Sequence, residues 1–217
     1  MHKPNNILES DVKDELGWDL RIDDSRIIVK AADGRVTLSG AVPTYDDLML
    51  ATEDARRVGG VTAVENELLV GRAAEAFADV DVAASCEAAL ARDQFVPKGA
   101  VSVAVTDGWV TLTGKVRHHY QRQAAKHAVR HVDGVAGVTD KIAITSEPIP
   151  SDVVDRIRLA LQRAAIVDDS LIDVTNSGHT IYLDGTAGSW AARRAAEDAA
   201  WAAPGVHEVV DRVEITP

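Results

Sequence analysis

The stretch GVTAVENELLV at residues 60–70 recurs as GVAGVTDKIAI at residues 134–144 and as GVHEVVDRVEI at residues 205–215. Alternating apolar residues after each Gly-Val pair predict a β-strand. The same offsets, 74 and then 71 residues, relate three earlier glycines, Gly40, Gly114 and Gly185. Because a fixed period is the mark of a repeat protein, the chain is predicted to contain three copies of one unit.

Each copy is predicted to open with an amphipathic helix. Apolar residues at four-residue steps lie on one helical face. They are Val12, Leu16 and Leu20 in the first copy, Val82, Cys86 and Leu90 in the second, and Val153, Ile157 and Leu161 in the third. Leu20 and Ile27 are seven positions apart, where the other copies have eleven positions between helix and strand. We therefore expect a shorter connection between helix and strand in the first copy. Because loops often carry function, we expect any functional difference between the copies at this connection.

The rest of each copy is predicted to form a hairpin, a second helix and a third strand. Asp33-Gly34 and Asp107-Gly108 lie between alternating apolar runs, which is a strong hairpin signal, and residues 176–179 (NSGH) replace them in the third copy. Residues spaced by four and three then line one face of a helix. They are Ala51, Ala55 and Val58; Ala125, Val129 and Val132; and Ala196, Ala200 and Ala203.

The predicted fold is therefore α/β (α+β), with three tandem αββαβ modules. In each, two helices pack on a three-stranded mixed sheet, and the crossover through the second helix makes the last two strands parallel. The expected domains are residues 8–72, 79–146 and 150–217. We also expect three separate cores, which leave no shared cavity in which catalysis would be expected.

Two sets of glycines are predicted to have structural roles. Gly60, Gly134 and Gly205 follow the second helices, where a glycine with positive φ ends a helix. Gly40, Gly114 and Gly185 lie between a strand and a helix, but each stands alone rather than in a glycine-rich phosphate loop. Structure, rather than ligand contact, is the favoured interpretation of both sets.

Composition narrows the function. The net charge of −11 argues against nucleic-acid binding, which needs an excess of cations. No apolar run is long enough to cross a bilayer, and the first residues lack the pattern of a signal peptide, so a cytoplasmic location is expected. A single cysteine, Cys86, cannot form an internal disulfide.

The second helix of the middle copy is basic, with no carboxylate between Asp107 and Asp133. At 100° per residue several of its polar residues share one face, away from Ala125 and Val129. A docking site for anionic phospholipid headgroups is one interpretation, and a solvated face or a contact with the acidic neighbouring copies is the other. The candidate lipid- or anion-binding residues are Lys115, Arg117, His119, Arg122, Lys126 and Arg130.

Other reactive side chains give weaker signals. Cys86 occupies an inward helical position, which favours burial over thiol chemistry. His127 and His131 have the i,i+4 spacing of metal ligands but no evident third ligand, so no metal and no cofactor are predicted. Trp109, Trp190 and Trp201 are expected to pack in cores or between repeats. Trp18 lies off the inward face and is expected to be partly exposed.

The pattern Gly40-Ala41-Val42, Gly60-Val61-x-x-Val64 and Asn66-x-Leu68-x-Val70, repeated in the other copies, resembles the BON domain. This resemblance implies a non-enzymatic module associated with osmotic stress. It also implies attachment to phospholipid surfaces or, in one branch, potassium binding.

Three functions remain open from sequence. The first is an osmotic-stress binding protein that attaches to phospholipid or other anionic surfaces, where three modules give avidity. The second is a cytoplasmic sensor of potassium or another small ligand. The third is a scaffold or chaperone-like protein with a protein partner.

Overall fold

The structure is a computed structural model, and it describes residues 3–71, 77–145, 148–164 and 171–216. The ends of the three expected domains, at residues 72, 146 and 217, therefore lie outside the described residues. No helix within these ranges has both the length and the apolar character needed to cross a membrane.

The described chain repeats helix, strand, strand, helix, strand three times. The helices are α1 (Asn5–Trp18), α2 (Tyr45–Arg57), α3 (Asp79–Arg92), α4 (His119–Arg130), α5 (Val153–Arg163) and α6 (Trp190–Trp201). The strands are β1 (Ile27–Ala32), β2 (Arg35–Val42), β3 (Ala63–Val70), β4 (Val101–Thr106), β5 (Trp109–Val116), β6 (Gly137–Ile144), β7 (Ile172–Ser177), β8 (Thr180–Ala187) and β9 (Glu208–Ile215). The predicted αββαβ order is confirmed in all three modules.

Each module has its own three-stranded mixed sheet. The strand orders are β1-β2-β3, β4-β5-β6 and β7-β8-β9. In each sheet the middle strand pairs antiparallel with the strand before it and parallel with the strand after the second helix. A tight turn cannot join two parallel strands, so the chain crosses over through the second helix between them.

The hairpin turns follow the sequence signals. Asp33 and Asp107 have φ of 50° and 52°, and the glycines after them also have positive φ, as a type I′ turn requires. In the third module Gly178 and His179 connect the paired residues Ser177 and Thr180. Only Gly178 of these two has positive φ. The third turn is therefore of a different type, with glycine at its first central position.

Three separate hydrophobic clusters fill the modules, one beneath each sheet. The second helices contribute small residues that are 0% exposed. They are Ala51 and Ala55, Ala125 and Val129, and Ala196 and Ala200. Val58, Val132 and Ala203, which were expected on the same faces, come after the helices end and are half-buried.

The predicted face of the first helix is wrong by one turn. Leu8, Val12 and Leu16 are buried, whereas Leu20 lies beyond the end of α1 and is 97% exposed. With Leu16 as the last inward residue, eleven positions separate it from Ile27, as Leu90 is separated from Val101. The expected shorter connection in the first module is therefore also wrong, and the offset of 74 residues holds through the whole module.

Gly40, Gly114 and Gly185 occupy equivalent places inside β2, β5 and β8, two residues before each strand ends, so their expected position between a strand and a helix is wrong. They pair with Ile27, Val101 and Ile172, the first residues of the antiparallel strands. Their φ values are 115°, 145° and 128°, and an added Cβ would lie 2.0 to 2.1 Å from the carbonyl oxygen of the residue before that strand. Only glycine fits such an approach of backbone to backbone.

Gly60, Gly134 and Gly205 have φ of 99°, 84° and 82° just after the second helices. These positive values are the ones that glycine adopts readily where a helix gives way to a strand.

A polar residue on the third strand ties each sheet to the second helix. In the second module Asp140 Oδ1 accepts from the Ile142 backbone N–H at 2.9 Å, and Asp140 Oδ2 accepts from Arg122 Nε at 2.6 Å. Asp211 and Arg193 repeat this arrangement in the third module. In the first module Asn66 makes the same strand contact, but its amide donates to the Leu48 carbonyl oxygen, since Leu48 replaces the arginine.

Candidate binding cleft between the second helices

The second helices of the three modules contact one another head to tail. The first residues of α2, α4 and α6, at equivalent positions of the repeat, are all aromatic: Tyr45, His119 and Trp190. The equivalent last-turn residues are Arg56, Arg130 and Trp201. In each contact a last-turn residue of one helix reaches the first turn of the next, and the three contacts close a ring.

The contact between the first two modules depends on charge. Arg130 Nε lies 2.8 Å from Asp46 Oδ1, and Arg130 Nη1 lies 3.6 Å from Glu53 Oε1. His131 Nδ1 lies 3.0 Å from Asp46 Oδ2. Tyr45 packs against the core of the second module, and burial raises the pKa of its hydroxyl.

The contact between the second and third modules is aromatic. The imidazole of His119 stacks on the indole of Trp201, with centroids 3.8 Å apart and planes 13° apart. Trp201 packs against the cores of both modules. Burial, followed by the charges of Arg122 and Lys126, lowers the pKa of His119 to about 4, so its ring is neutral near pH 7.

The contact between the first and third modules is cationic. The guanidinium of Arg56 lies 4.6 Å from the centroid of the Trp190 ring. Arg193 lies 5.2 Å from the same ring. Both distances are within the range of a cation–π interaction.

The ring of helices surrounds a cleft that all three modules line. The three cores stay separate, as expected. The outward faces of the second helices nevertheless meet around this open cleft. The lining mixes aromatic and charged side chains, including Tyr45, Phe95, Trp190, Lys126 and Arg194.

The structure divides the six candidate anion-binding residues into two groups. Lys115 and Arg117 are exposed, at the end of β5 and in the turn after it. The other four, His119, Arg122, Lys126 and Arg130, are half-buried on α4 and belong to the ring contacts or lie beside them. Arg122 and Arg130 are in ion pairs. Whether any of the six binds a lipid or another anion stays a prediction.

Sequence reasoning missed an aromatic group next to Arg117. His118 stacks on Tyr120 at 5.4 Å, and Phe95 meets Tyr120 edge-on at 6.2 Å. Tyr120 is 56% exposed and Phe95 is 53% exposed. We call Phe95, Arg117, His118 and Tyr120 the aromatic–cationic patch. Its sequence signal was present at residues 117–120 (RHHY), but Phe95 joins it only through the fold.

The remaining candidates have structural positions. Cys86 is buried, and burial raises the pKa of its thiol to about 11, which keeps it protonated. The Nε2 atoms of His127 and His131 lie 3.3 Å apart, and no group of three metal-ligating side chains occurs in the described parts of the chain. Burial lowers the pKa of His127.

The four tryptophans differ in exposure. Trp190 and Trp201 pack between modules, as expected. The expected packing of Trp109 in a core or between repeats is wrong, because it is 52% exposed on the sheet, where its Nε1 donates to Thr139 Oγ1 at 2.6 Å. Trp18 is 85% exposed and lies beside the exposed Leu20.

Comparisons with known proteins agree with the repeat. The BON domain model matches residues 4–72, 78–146 and 151–217. Osmotically-inducible protein Y of Escherichia coli (strain K12) is 35% identical over 121 residues, which are 54% of this chain and 60% of that protein. This chain thus spans about three fifths of the length of the curated relative it matches.

Two solved structures of CdsD, a structural protein of the Type III secretion system of Chlamydia trachomatis, also match. One is 15% identical with a TM-score of 0.27, covering 97% of this chain and 93% of the other. The second, of the C-terminal domain, is 14% identical with a TM-score of 0.28 and covers all of both chains. TM-scores this low do not indicate a shared overall arrangement. The three family matches cover nearly the whole sequence, and the chain belongs to the BON domain family.

Proposed function

We propose that this protein is a non-enzymatic binding protein of the osmotic stress response that attaches to anionic phospholipid surfaces through its second module. Membership of the BON family and similarity to an osmotically inducible relative support the stress role. The buried, protonated Cys86 supports a structural rather than catalytic role for the one thiol.

The aromatic–cationic patch carries the surface role. Tyr120 and Phe95 expose apolar rings beside Arg117, and Lys115 lies two residues earlier. Rings of this kind favour the boundary between headgroups and acyl chains, where a cation adds attraction to anionic lipid. Lys115 and Arg117 have no ion-pair partner among the described residues, so both remain available to phosphates.

The net charge of −11 makes this local arrangement necessary. A long-range field that is negative overall repels an anionic surface, but it is screened beyond about 8 to 10 Å at physiological salt. A surface closer than that to the middle module meets a module with no net charge, since residues 73–146 contain eight cations and eight anions. We therefore expect attachment through this module to depend on contact rather than on the charge of the whole protein.

Co-sedimentation with phosphatidylglycerol vesicles at about 0.1 M salt, where the field of the whole protein is screened beyond about 10 Å, tests the proposal. Reversing Lys115 and Arg117 together (K115E/R117E) is expected to weaken binding more than tenfold, since each cation near a charged surface contributes about 1 kcal/mol. K13E/K30E is the matched control, because both lysines are exposed in the first module and the change in net charge is the same. Arg130 is unsuitable for this test because it pairs with Asp46 and Glu53.

Phosphatidylcholine vesicles should bind weakly if headgroup charge matters. The proposal is wrong if the wild-type chain does not bind anionic vesicles at this salt concentration, or if K115E/R117E binds them as well as K13E/K30E does.

A further inference from the structure

The contact between the first and third modules lacks an anion that the equivalent contact between the first two modules has. In the latter, Arg130 pairs with Asp46. The repeat places Arg56 at the position of Arg130 and Ala191 at the position of Asp46. A methyl group therefore stands where the other contact has a carboxylate, and the arginine has lost its partner.

The same contact has gained cations instead. Arg194 occupies the position that Met49 has in the first module, and Arg193 lies beside it in the first turn of α6. That turn contains no acidic residue, although the positive end of a helix dipole favours one. Arg193 pairs with Asp211 at 2.7 Å, whereas Arg56 and Arg194 have no ion pair within the described ranges.

Two nearby carboxylates, Glu53 and Glu197, have other partners. Asp198 also lines the cleft, one turn after Arg194 on α6, but forms no ion pair with it within the described ranges. Glu53 lies 3.6 Å from Arg130, and Glu197 accepts from Trp201 Nε1 at 3.3 Å. Burial, then repulsion from Arg193 and, more weakly, Arg194, lowers the pKa of Arg56, with Glu53 and Glu197 opposing this only in part. Positive charge at this contact is therefore incompletely balanced.

A hydrogen-bond donor is also left over. The indole N–H of Trp190 is buried and has no acceptor among the described residues. Because a buried donor without a partner costs free energy, this group favours a ligand that accepts hydrogen bonds. Trp190 also lines the cleft, and the guanidinium groups of Arg56 and Arg193 lie 4.6 and 5.2 Å from the centroid of its ring.

We propose that Arg56, Arg194 and the indole N–H of Trp190, together with Arg193, form a binding site for a soluble phosphate-type oxyanion. Two guanidinium groups without carboxylate partners match a phosphate or phosphomonoester, which carries about −1.5 to −2 near pH 7. Several N–H donors along one cleft suit the oxygens of a tetrahedral anion, and guanidinium groups bind such oxygens in fork geometry. The site shares no residue with the aromatic–cationic patch, although Phe95 and Tyr120 of the patch line the same cleft. The two proposals are therefore tested with different variants.

Calorimetric titration of the full chain with sodium phosphate, at pH 7.5 and constant ionic strength kept with sodium chloride, tests the site. We expect saturable binding that Arg56→Gln and Arg194→Gln each weaken at least about tenfold, as the loss of a charged hydrogen bond does. Arg163→Gln is the matched control, since it removes the same charge from the exposed end of α5. Trp190→Phe keeps an aromatic ring but removes the donor, and is expected to weaken binding by a smaller factor.

The other outcomes overturn the proposal in different ways. No saturable binding of phosphate, or binding that R56Q and R194Q leave unchanged, shows that no such site exists. If free phosphate does not bind but R56Q and R194Q reduce binding to phosphatidylglycerol vesicles, the cations serve a lipid headgroup and the soluble ligand is wrong. Vesicle binding that depends on Lys115 and Arg117 alone tests only the surface proposal, so the two can fail separately.

Discussion

The inner and outer faces of the second helices differ in how they repeat. On the inner face each helix buries two small residues at equivalent positions, such as Ala51 and Ala55 in α2. On the outer face the last-turn residue changes from Arg56 to Arg130 to Trp201, and so does the side chain it meets in the next module. The inner face repeats because in every module the second helix packs against the core of its own three-stranded sheet. The outer face varies because each contact has a different partner.

The largest effect is expected from a change inside one module at a position that repeats. Gly40→Ala would place Cβ 2.0 Å from the carbonyl oxygen of Arg26, at a φ of 115° that alanine rarely adopts. Since strand β1 must move to relieve this contact, we expect a loss of at least about 3 kcal/mol in the stability of the first module. Urea unfolding followed by circular dichroism, with hydrogen exchange to locate the loss, measures it.

Gly59→Ala is the control in the same module. Its added Cβ meets nothing within 4 Å and its φ is not positive. Equal effects of the two substitutions would contradict the structural role assigned to Gly40.

A second prediction concerns an inner position where the first module departs from the repeat. Asp54 is 0% exposed on α2, whereas the other modules have Ala128 and Ala199 at this place. Burial raises the pKa of Asp54 from 3.8 to about 6, even though Arg57 Nη2 lies 2.7 Å from Oδ1. Because the folded state holds this proton more tightly, Asp54 costs no stability below pH 3.8 and its full cost above about pH 6.

Asp54→Ala should therefore stabilise the first module by about 2 kcal/mol at pH 8 and by little at pH 4. Hydrogen exchange of α2 at the two pH values, corrected for intrinsic rates, measures the difference. Asp47→Ala is a useful contrast, because Asp47 caps α2 by accepting from the Thr44 backbone N–H at 2.9 Å and its loss should destabilise. A gain in D54A that is the same at pH 4 and pH 8 would show that the carboxyl is not the cause.

The repeat predicted most of the fold and little of the cleft. Periodicity and turn residues predicted the order of the elements and the structural glycines of each module, because those signals come from contacts inside one module. The first helix was misplaced by one turn, since Leu20 continued the four-residue spacing of Val12 and Leu16 beyond the end of α1. Only the offset of 74 residues, applied strictly, would have selected Leu8.

The ring of contacts could not be predicted from the repeat. The basic stripe on α4 was recognised, and a contact with acidic neighbours was one of its interpretations. Nothing in the spacing showed that Arg130 would meet Asp46 while His119 met Trp201. Such pairs depend on how modules pack together, and that arrangement leaves no period in the sequence.

The smallest expected effect is at the contact between the second and third modules. Since the pKa of His119 is lowered from 6.5 to about 4 in the folded chain, the stacked ring stabilises the contact fully above pH 6.5, and this stability is lost as the pH falls toward 4. At pH 5.5 we expect a loss of about 1 kcal/mol relative to pH 8. His119→Phe preserves a ring against Trp201 but cannot take up a proton, so the difference in unfolding free energy between the two proteins should change by that amount between pH 8 and pH 5.5.

His118→Phe is the control, because His118 stacks on Tyr120 of its own module and not across a contact. If the pH profiles of the wild-type chain and of H119F are parallel, protonation of the His119 imidazole does not weaken the contact between the second and third modules. That contact then rests on the apolar packing of Trp201 alone.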